Sequence, residues 1–338
     1  MVASHCSSSA THRGWWSPES SSLQPCFDPN RTPLVLFLMG PTASGKTDLA
    51  LELVDRYGGE IVSVDSALVY RGMDIGTAKP ERSLLQRYPH HLIDRIEPTE
   101  SYSAAQFREE AIAAIADILA RGRLPLLVGG TMLYFRALEQ GLSRLPPADP
   151  QLRQEIAAEA EVVGWPQLHQ TLAELDPQAA LRIHPHDPQR ISRALEVIRL
   201  SGTSLTALQQ QQGEPLPWRL LKIALIPQQR QELHRRISDR FAEMLRRGFV
   251  EEVEGLRRRG DLHPQLPAMR AVGYRQIWHY LDGGCDRQQM IADSETATRR
   301  LGKRQLTWLR SEEGLRSVDP FLKKSRDLFL NGLGKELI

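Results

Sequence analysis

One octapeptide constrains this chain more than any other feature: residues 40–47 match the pattern G-x-x-x-x-G-K-[ST]. An apolar run precedes it at 34–39, and a helical pattern follows it at 48–54. In such a strand–loop–helix unit, glycines let the backbone turn until several N–H groups point into one concavity, and the helix adds the positive end of its dipole. The motif therefore predicts a binding site for a diphosphate-bearing ligand. The residues expected to form it are Gly40, Pro41, Thr42, Ala43, Ser44, Gly45, Lys46 and Thr47.

Two side chains of this loop predict further chemistry. Lys46 brings a mobile positive charge to the phosphates, and the hydroxyl of Thr47 is a candidate ligand for a magnesium ion. Mg²⁺ is therefore the expected cofactor. The loop alone identifies neither the ligand nor the reaction.

Four apolar runs predict a buried parallel sheet, at 34–39, 60–64, 124–128 and 221–226. Helical patterns alternate with them, which is typical of a doubly wound arrangement. The predicted fold class is α/β, with a P-loop NTPase-like parallel sheet core and helices on both faces. Between about 149 and 212 only helical patterns occur, which predicts an all-helical subdomain inserted between two strands.

The expected domain organisation follows from these patterns. Residues 1–32 are rich in Ser and Pro and lack apolar periodicity, so a disordered N-terminal tail is expected. The α/β core comprises 33–145 and resumes at 216–315, where it includes C-terminal helices, after the inserted helical subdomain at 146–215. Residues 316–338 are expected to be a C-terminal tail.

Composition excludes several classes of protein. At 338 residues, with 41% hydrophobic and 25% charged residues, the chain has ordinary globular values, and its apolar runs are shorter than the roughly 20 residues that span a bilayer. Cys6, Cys26 and Cys285 form no C-x-x-C pair, which argues against a zinc site and favours a reducing compartment. We expect a cytoplasmic protein with no membrane partner, most simply a monomer.

Two further positions lie where a parallel sheet binds its ligands, at the carboxyl ends of the strands. Asp65 follows the second predicted strand, so its carboxylate can coordinate magnesium or act as a general base; a turn or helix cap is the structural alternative. Gly129-Gly130-Thr131 follows the third strand, where the glycines permit close approach of a ligand and the Thr131 hydroxyl can donate to a phosphate oxygen. A plain strand-to-helix turn explains this tripeptide equally well.

The end of the third predicted strand is also informative for what it lacks. An ATP-hydrolysing P-loop protein carries an acidic residue at such a strand end to hold magnesium. Here residues 126–128 are followed by Gly-Gly-Thr. This difference weakens the interpretation of the chain as an NTPase.

Three groups of polar residues stay ambiguous from pattern alone. Arg240 lies on an amphipathic helical pattern, where most arginines belong to solvated faces. Residues 299–310 carry five basic residues, no acidic residue and Trp308, a composition typical of RNA-binding surfaces but also of an amphipathic helix. The pair His90-His91 has no partner at metal-ligand spacing, which favours a structural role.

Together, the segments from about residue 33 to residue 312 resemble the bacterial tRNA dimethylallyltransferase family, also called tRNA isopentenyltransferases or IPP transferases. Any one matching segment is short, but the set occurs in a single order and is highly specific. The matching segments are 40–47, 64–70, 71–80, 89–94, 102–104, 129–135, 184–190, 193–197, 270–275 and 303–310.

The resemblance implies a reaction. The dimethylallyl group of dimethylallyl diphosphate is transferred to N6 of the adenosine on the 3′ side of the anticodon (position 37 of the tRNA), and diphosphate leaves. The loop at 40–47 would then hold a leaving diphosphate rather than split a phosphoanhydride, which accounts for the missing acidic residue. The implied partners are dimethylallyl diphosphate and the tRNA anticodon stem-loop.

The resemblance also implies residue roles. Asp65 matches the family's base, and Thr131 and Arg240 are implied to stabilise the departing diphosphate together with Lys46 and Thr47. Each match is positional, since Thr131 follows the paired glycines and Arg240 precedes a phenylalanine. The implied tRNA contacts are Asp65, Ser66, Ala67, Leu68, Thr131, Arg153, Gln189, Arg190, Ile191, Ser192, Arg193, Arg270, Ala271, Val272, Gly273, Tyr274, Arg275, Lys303, Arg304, Gln305, Leu306, Thr307, Trp308, Leu309 and Arg310.

Three alternatives stay open at this point. An isopentenyltransferase that acts on free AMP or ADP would share the core, but it would not need the inserted helices or the basic segment 299–310. A P-loop nucleotide kinase or ATPase is disfavoured by the missing acidic strand end. A non-catalytic RNA-binding protein with a relic loop is disfavoured by the intact Lys46, Thr47 and Asp65.

Overall fold

A six-stranded parallel sheet forms the centre of the computed structural model, which describes residues 32–143, 145–210 and 213–337. The strands are β1 (Leu34–Met39), β2 (Gly59–Val64), β3 (His90–His91), β4 (Leu124–Gly129), β5 (Arg219–Leu225) and β6 (Leu315–Val318). Across the sheet they lie in the order β3-β2-β4-β1-β5-β6, with parallel pairing throughout. The predicted α/β class is confirmed. The tail predicted at 1–32 lies, apart from its last residue, outside the described residues.

Helices connect the strands and cover both faces of the sheet. They are α1 (Lys46–Tyr57), α2 (Arg82–Arg87), α3 (Ala104–Ala120), α4 (Met132–Gln140), α5 (Pro150–Val163), α6 (Trp165–Leu175), α7 (Pro177–Arg182), α8 (Pro188–Ser201), α9 (Leu205–Gln210), α10 (Arg230–Arg246), α11 (Phe249–Arg258), α12 (Tyr274–Leu281), α13 (Arg287–Arg310) and α14 (Lys323–Leu337). Within the described ranges, none of these helices has both the length and the apolar character needed to cross a bilayer.

The central strands are buried on both faces because they are apolar at successive positions. In β1, Leu36 packs in one apolar cluster with α1 and α14, and its neighbour Phe37 packs in another with α3 and α4. All six side chains of β1 are buried. This strand therefore lies at the centre of the core and delivers the loop at 40–47 to the carboxyl edge of the sheet.

The two edge strands are absent from the sequence-based prediction. β3 has only two residues, and its His91 contacts the buried carboxylate of Glu60 through Nε2 at 2.7 Å, a structural role like the one expected for this pair. β6 falls at the start of the segment expected to be a tail, 316–338, and pairs with β5. Leu330 and Leu333 of α14 are buried against the sheet, three residues apart on one helical face. This segment is therefore part of the core rather than a tail.

Helices α5–α9 form the inserted helical layer that the pattern predicts between two strands of the core. They pack around an apolar cluster of their own, which includes Ile156, Leu168, Leu172, Ile191 and Leu195. The chain leaves the core at Gly141 and returns at Gly213, and a Cβ added to Gly141 would lie only 2.7 Å from the Cα of Gly213. Both ends of the insertion therefore lie side by side.

A further apolar cluster joins the segment 69–73, which follows β2, to helices α10–α12. The rings of Phe249 and Tyr274 meet edge to face with centroids 4.9 Å apart. Gly76 lies so close to both rings that an added Cβ would approach Phe249 within 2.1 Å. This packing holds α10 and residues 270–274 next to the cavity at the carboxyl ends of the central strands.

Candidate active site

A cavity of about 510 Å³, called the active cavity below, lies at the carboxyl ends of β1, β2 and β4. It joins the phosphate-binding loop, the two polar strand ends, α10, α13 and residues 270–274. Its lining includes Thr42, Ala43, Lys46, Thr47, Asp65, Thr131, Arg240, Arg270 and Gln305. The three residues expected to be catalytic, Asp65, Thr131 and Arg240, therefore share one cavity with the loop.

The loop owes its shape to two residues with positive φ, Ala43 at 62° and Gly45 at 82°. Gly45 is also the N-cap of α1, and it has no side chain with which to cap the first turn. The unpaired N–H groups at a helix N-terminus attract an anion, and the helix dipole adds to the attraction. The loop and the start of α1 can thus bind phosphate oxygens largely through the backbone.

Lys46 Nζ donates to the carbonyl oxygens of Gly40 at 3.0 Å and Pro41 at 2.7 Å. The pKa of Lys46 is lowered from 10.5 to about 7, chiefly by burial and then by the positive charge of Arg240, while the carboxylate of Asp65 acts in the opposite direction. An anionic ligand in the loop would favour the charged ammonium and raise this pKa again.

Asp65 follows β2 directly and lines the active cavity. Its Oδ1 accepts hydrogen bonds from the backbone N–H groups of Ala67 at 2.8 Å and Leu68 at 3.4 Å. Asp65 therefore does stabilise a turn, as the structural alternative expects, but only one of its two carboxylate oxygens is used for this. Within the described ranges no hydrogen bond to Oδ2 is found, so this oxygen can accept a proton from a substrate.

Thr131 is held next to Asp65 by contacts between the ends of β2 and β4. The N–H of Ser66 donates to Thr131 Oγ1 at 3.1 Å, and the N–H of Thr131 donates to the carbonyl of Val64 at 3.2 Å. Gly129 makes this approach possible, because a Cβ there would lie 1.9 Å from the same carbonyl oxygen. The paired glycines thus bring Thr131 against the end of β2. A turn that only connected β4 to α4 would not need this close approach.

Arg240 lies on the side of α10 that lines the active cavity and does not belong to a solvated face. Its Nη2 lies 3.5 Å from the carbonyl oxygen of Thr77, to which it donates. Burial lowers the pKa of Arg240, and the nearby carboxylate of Asp65 offsets part of that effect. The guanidinium stays cationic, because its ordinary pKa is so high.

Glu252 of α11 is an important residue that the sequence analysis does not identify. Its carboxylate accepts backbone N–H groups from Asp74 at 3.0 Å, Ile75 at 2.7 Å and Gly76 at 3.2 Å. The hydroxyl of Tyr274 donates to the same carboxylate at 2.6 Å. Glu252 therefore fixes the loop that presents the Thr77 carbonyl to the active cavity.

A second, larger cleft of about 1470 Å³ lies between α4 and the inserted helices, and we call it the arginine cleft. Its lining includes Arg136, Arg182, Gln189, Arg190, Arg193 and Trp308. The guanidinium of Arg136 lies 5.8 Å from the ring centre of Trp308, which is 38% exposed. An exposed aromatic ring among cations is suited to stacking on an unpaired base and pairing with phosphates.

Arg153 and Arg193, two of the predicted tRNA contacts, are committed to a buried carboxylate. Arg153 Nε lies 2.9 Å from Oε1 of Glu196, and Arg193 Nη1 lies 2.7 Å from its Oε2. Burial alone would raise the pKa of the fully buried Glu196, but hydrogen bonds from Arg153, Arg193 and the Asp149 N–H outweigh it and lower that pKa. These arginines orient α8 against α5, and only their exposed parts can reach RNA.

Several other side chains expected to contact tRNA are buried instead. Ile191, Leu306 and Leu309 belong to apolar clusters, and the ring of Tyr274 is fully buried. Gln305 is 9% exposed and bonds to two backbone groups of the active cavity. The resemblance identifies segments, but every third or fourth residue of a helix faces the core, so the side chains of Ile191, Leu306 and Leu309 stabilise the fold.

The remaining predicted contacts divide between two surfaces. Residues 66–68 and 270–273 line the active cavity. The predicted contacts that are exposed on α13 are Lys303, Arg304, Thr307, Trp308 and Arg310. Arg275 is exposed on α12, whereas Ser192 is half-buried on α8.

The fold and the site define a P-loop α/β protein with an anion-binding cavity and an adjacent cationic cleft. Residues 68–312 match the family model described as IPP transferase. A tRNA dimethylallyltransferase of Alkalilimnicola ehrlichii is 61% identical over 284 residues, which cover 84% of this chain and 90% of that protein. The chain therefore belongs to the IPP transferase family.

Solved structures agree with this assignment. The tRNA isopentenylpyrophosphate transferase of Bacillus halodurans is 37% identical, with a TM-score of 0.66, and the match covers 91% of this chain and 97% of that one. The corresponding enzyme of Staphylococcus epidermidis is 30% identical, with a TM-score of 0.64 and coverage of 90% and 99%. A eukaryotic dimethylallyltransferase acting on tRNA, 24% identical with a TM-score of 0.74 and coverage of 90% and 78%, shares the fold.

Proposed function

We propose that this member of the IPP transferase family is a tRNA dimethylallyltransferase. It transfers the dimethylallyl group of dimethylallyl diphosphate to N6 of adenosine 37 in the tRNA anticodon loop and releases diphosphate. The observation that carries the proposal is the presence of Asp65, Thr131, Arg240 and the phosphate-binding loop in one cavity. The 61% identical tRNA dimethylallyltransferase supports the same conclusion.

Asp65 acts as the general base in this proposal. The lone pair of the adenine amine is delocalised into the ring, so N6 becomes an effective nucleophile only if its proton leaves as the new bond forms. The N6–C1 bond forms, the C1–O bond to diphosphate breaks, and the proton moves to Oδ2 of Asp65, since Oδ1 is bonded to Ala67 and Leu68. A positioned base of this kind contributes roughly 10²- to 10⁴-fold to the rate.

The loop and its neighbours stabilise the leaving diphosphate. Lys46 exchanges its bonds to the loop carbonyls for bonds to phosphate oxygens. Arg240 neutralises charge on the diphosphate, and the Thr131 hydroxyl donates a hydrogen bond to it from the same cavity. Thr47 lines the same cavity, and its hydroxyl is an oxygen donor of the kind Mg²⁺ prefers. It would hold the ion together with the diphosphate, where the ion would supply further neutralisation of charge.

The arginine cleft fits the anticodon stem-loop, the proposed RNA partner. An adenine stacked in an anticodon loop cannot reach a cavity at a sheet edge, so the base must flip out, at a cost of a few kcal/mol. Contacts of Arg182 and Arg190 with phosphates, and of Trp308 with a base, would offset that cost. A cytoplasmic location and a monomeric state complete the proposal, as expected for action on free tRNA.

Incubation of the full chain with labelled dimethylallyl diphosphate, Mg²⁺ and either unmodified tRNA or AMP tests the proposed function. Label in tRNA, with N6-(dimethylallyl)adenosine at position 37 after nuclease digestion, is the expected result. Label in AMP instead would identify an enzyme of free nucleotides. In a parallel incubation with ATP and Mg²⁺, release of phosphate by a chain that transfers no label to tRNA or AMP would identify an NTPase.

A further inference from the structure

Gln305 differs from its neighbours in the basic segment of α13. Lys303, Arg304 and Thr307 are exposed, whereas Gln305 is only 9% exposed and faces the active cavity. Its Oε1 accepts the backbone N–H of Thr42 at 2.9 Å, and its Nε2 donates to the carbonyl of Gly130 at 2.8 Å. One carboxamide therefore joins the phosphate-binding loop to the turn that carries Thr131.

A carboxamide satisfies both bonds at this position. Thr42 offers an N–H and Gly130 offers a carbonyl, so the side chain between them must accept at one atom and donate at the other. A carboxylate could not donate, and an ammonium could not accept. Gly130 allows the close approach, because an added Cβ would lie 2.4 Å from Gln305 Nε2.

We propose that Gln305 is a positioning residue of the diphosphate site. It fixes the spacing between the phosphate-binding loop and Thr131, so that both sides of the cavity meet the same diphosphate. The resemblance implies an RNA contact for Gln305, and our inference assigns it to the other substrate. The inference rests on the proposed function and extends it to a buried residue within the basic segment of α13.

The bonding pattern indicates what is lost without this side chain. Removal of the carboxamide leaves the Thr42 N–H and the Gly130 carbonyl without their partner in a half-buried site, and the loop then reorients to satisfy them. The P-loop amides and Thr131 would no longer hold their mutual spacing. Diphosphate affinity and the rate of transfer should fall together, while the exposed face of α13 keeps its charges for RNA.

Gln305→Met is the primary test, since it keeps the length of the side chain and removes both hydrogen bonds. Dissociation constants are measured by calorimetry for inorganic diphosphate with Mg²⁺ and by filter binding for tRNA, on the full chain. We expect the dissociation constant for diphosphate to rise roughly tenfold or more, and that for tRNA to change less than about twofold. Arg304→Met is the matched control, because Arg304 lies one position earlier and is exposed. We expect this variant to bind tRNA more weakly and diphosphate as tightly as the wild type.

Gly130→Ala provides a second route if Gln305→Met does not fold. The added methyl group would displace the carboxamide in the wild-type background, but it should add little damage to a Gln305→Ala chain, where its nearest remaining neighbour is the Gly40 carbonyl oxygen at 3.3 Å. If Gln305→Met weakened tRNA binding and left diphosphate binding unchanged, the inference would be wrong. It would also be wrong if the losses of diphosphate affinity in Gly130→Ala and Gln305→Ala simply added in the double variant. The measurement of diphosphate binding does not require catalysis. If the wild-type chain transferred no dimethylallyl group, that result would refute the proposed function and would leave the inference about Gln305 to be decided by the binding data.

Discussion

The active cavity and the arginine cleft differ in what builds them. The active cavity is formed by strand ends, by positive φ values at Ala43 and Gly45, and by charges half-buried against each other. The arginine cleft is formed by side chains on helix surfaces, such as Arg190, whose side chain is 69% exposed. Chemistry in the first should therefore depend on small displacements, whereas binding in the second should depend on summed charge and on salt.

The strongest test of this contrast is the loss of the base. Asp65→Asn keeps an oxygen that can accept the N–H groups of Ala67 and Leu68, but it cannot take a proton from N6. We expect kcat to fall about 10²- to 10⁴-fold, and Asp65→Ala to abolish transfer. Affinity for tRNA, measured by filter binding, should persist in both variants. Full activity in Asp65→Ala would refute the assignment of the base.

Glu196 provides a test of the scaffold under the arginine cleft. Glu196→Ala leaves Arg153 and Arg193 without the carboxylate that orients them, although both arginines are partly exposed and can turn to water. We expect a loss of about 1–3 kcal/mol in the free energy of unfolding, read from denaturant titration. Binding of tRNA should weaken and diphosphate affinity should stay, and weakened diphosphate binding would show that the two sites are not independent.

A charge reversal on α13 tests the cleft side of the contrast. Arg310→Glu should weaken tRNA binding roughly tenfold at moderate salt and reduce the salt dependence of binding. Diphosphate affinity should be unchanged, because Arg310 is exposed and does not line the active cavity. Equal tRNA affinity for wild type and variant, measured at the same salt concentration, would contradict this prediction.

The smallest expected effect is the pH dependence of diphosphate affinity that the titration of Lys46 produces. Its pKa of about 7 without ligand should rise on diphosphate binding, so the complex takes up a proton above pH 7. Since only the ammonium binds well, affinity should fall about fivefold from pH 7 to pH 8. Calorimetry in two buffers of different ionisation enthalpy measures the uptake, and Lys46→Met serves as the control without this proton. Equal uptake by both chains would assign the proton to another group.

Much of the active cavity was predictable because one motif and strand topology determine it. The loop at 40–47 fixes β1 and α1, and a parallel sheet brings every strand end to one edge, which brings Asp65 and Thr131 together. Glu252 and Gln305 were not predictable in these roles. Gln305 and Thr42 are 263 positions apart in the sequence, and the periodicity of hydrophobic residues within a helix or strand carries no information about such a contact.

The arginine cleft was predictable as a set of segments and less so as individual side chains. A matched segment of a helix includes inward positions such as Ile191 and outward positions such as Arg190. The commitment of Arg153 and Arg193 to Glu196 depends on packing between α5 and α8, which the sequence does not report. The edge strand β6 escaped prediction because it has only four residues, of which only Val318 is buried, and so short a segment carries no strand pattern.

The side-by-side ends of the insertion at Gly141 and Gly213 have a consequence for how such proteins change over time. A segment whose two ends already meet can lengthen, shorten or be replaced at little entropic cost to the rest of the fold. The preference for one RNA over another can therefore vary within helices α5–α9, while the reaction with the isoprenoid diphosphate stays in a part of the chain that such exchanges do not cross.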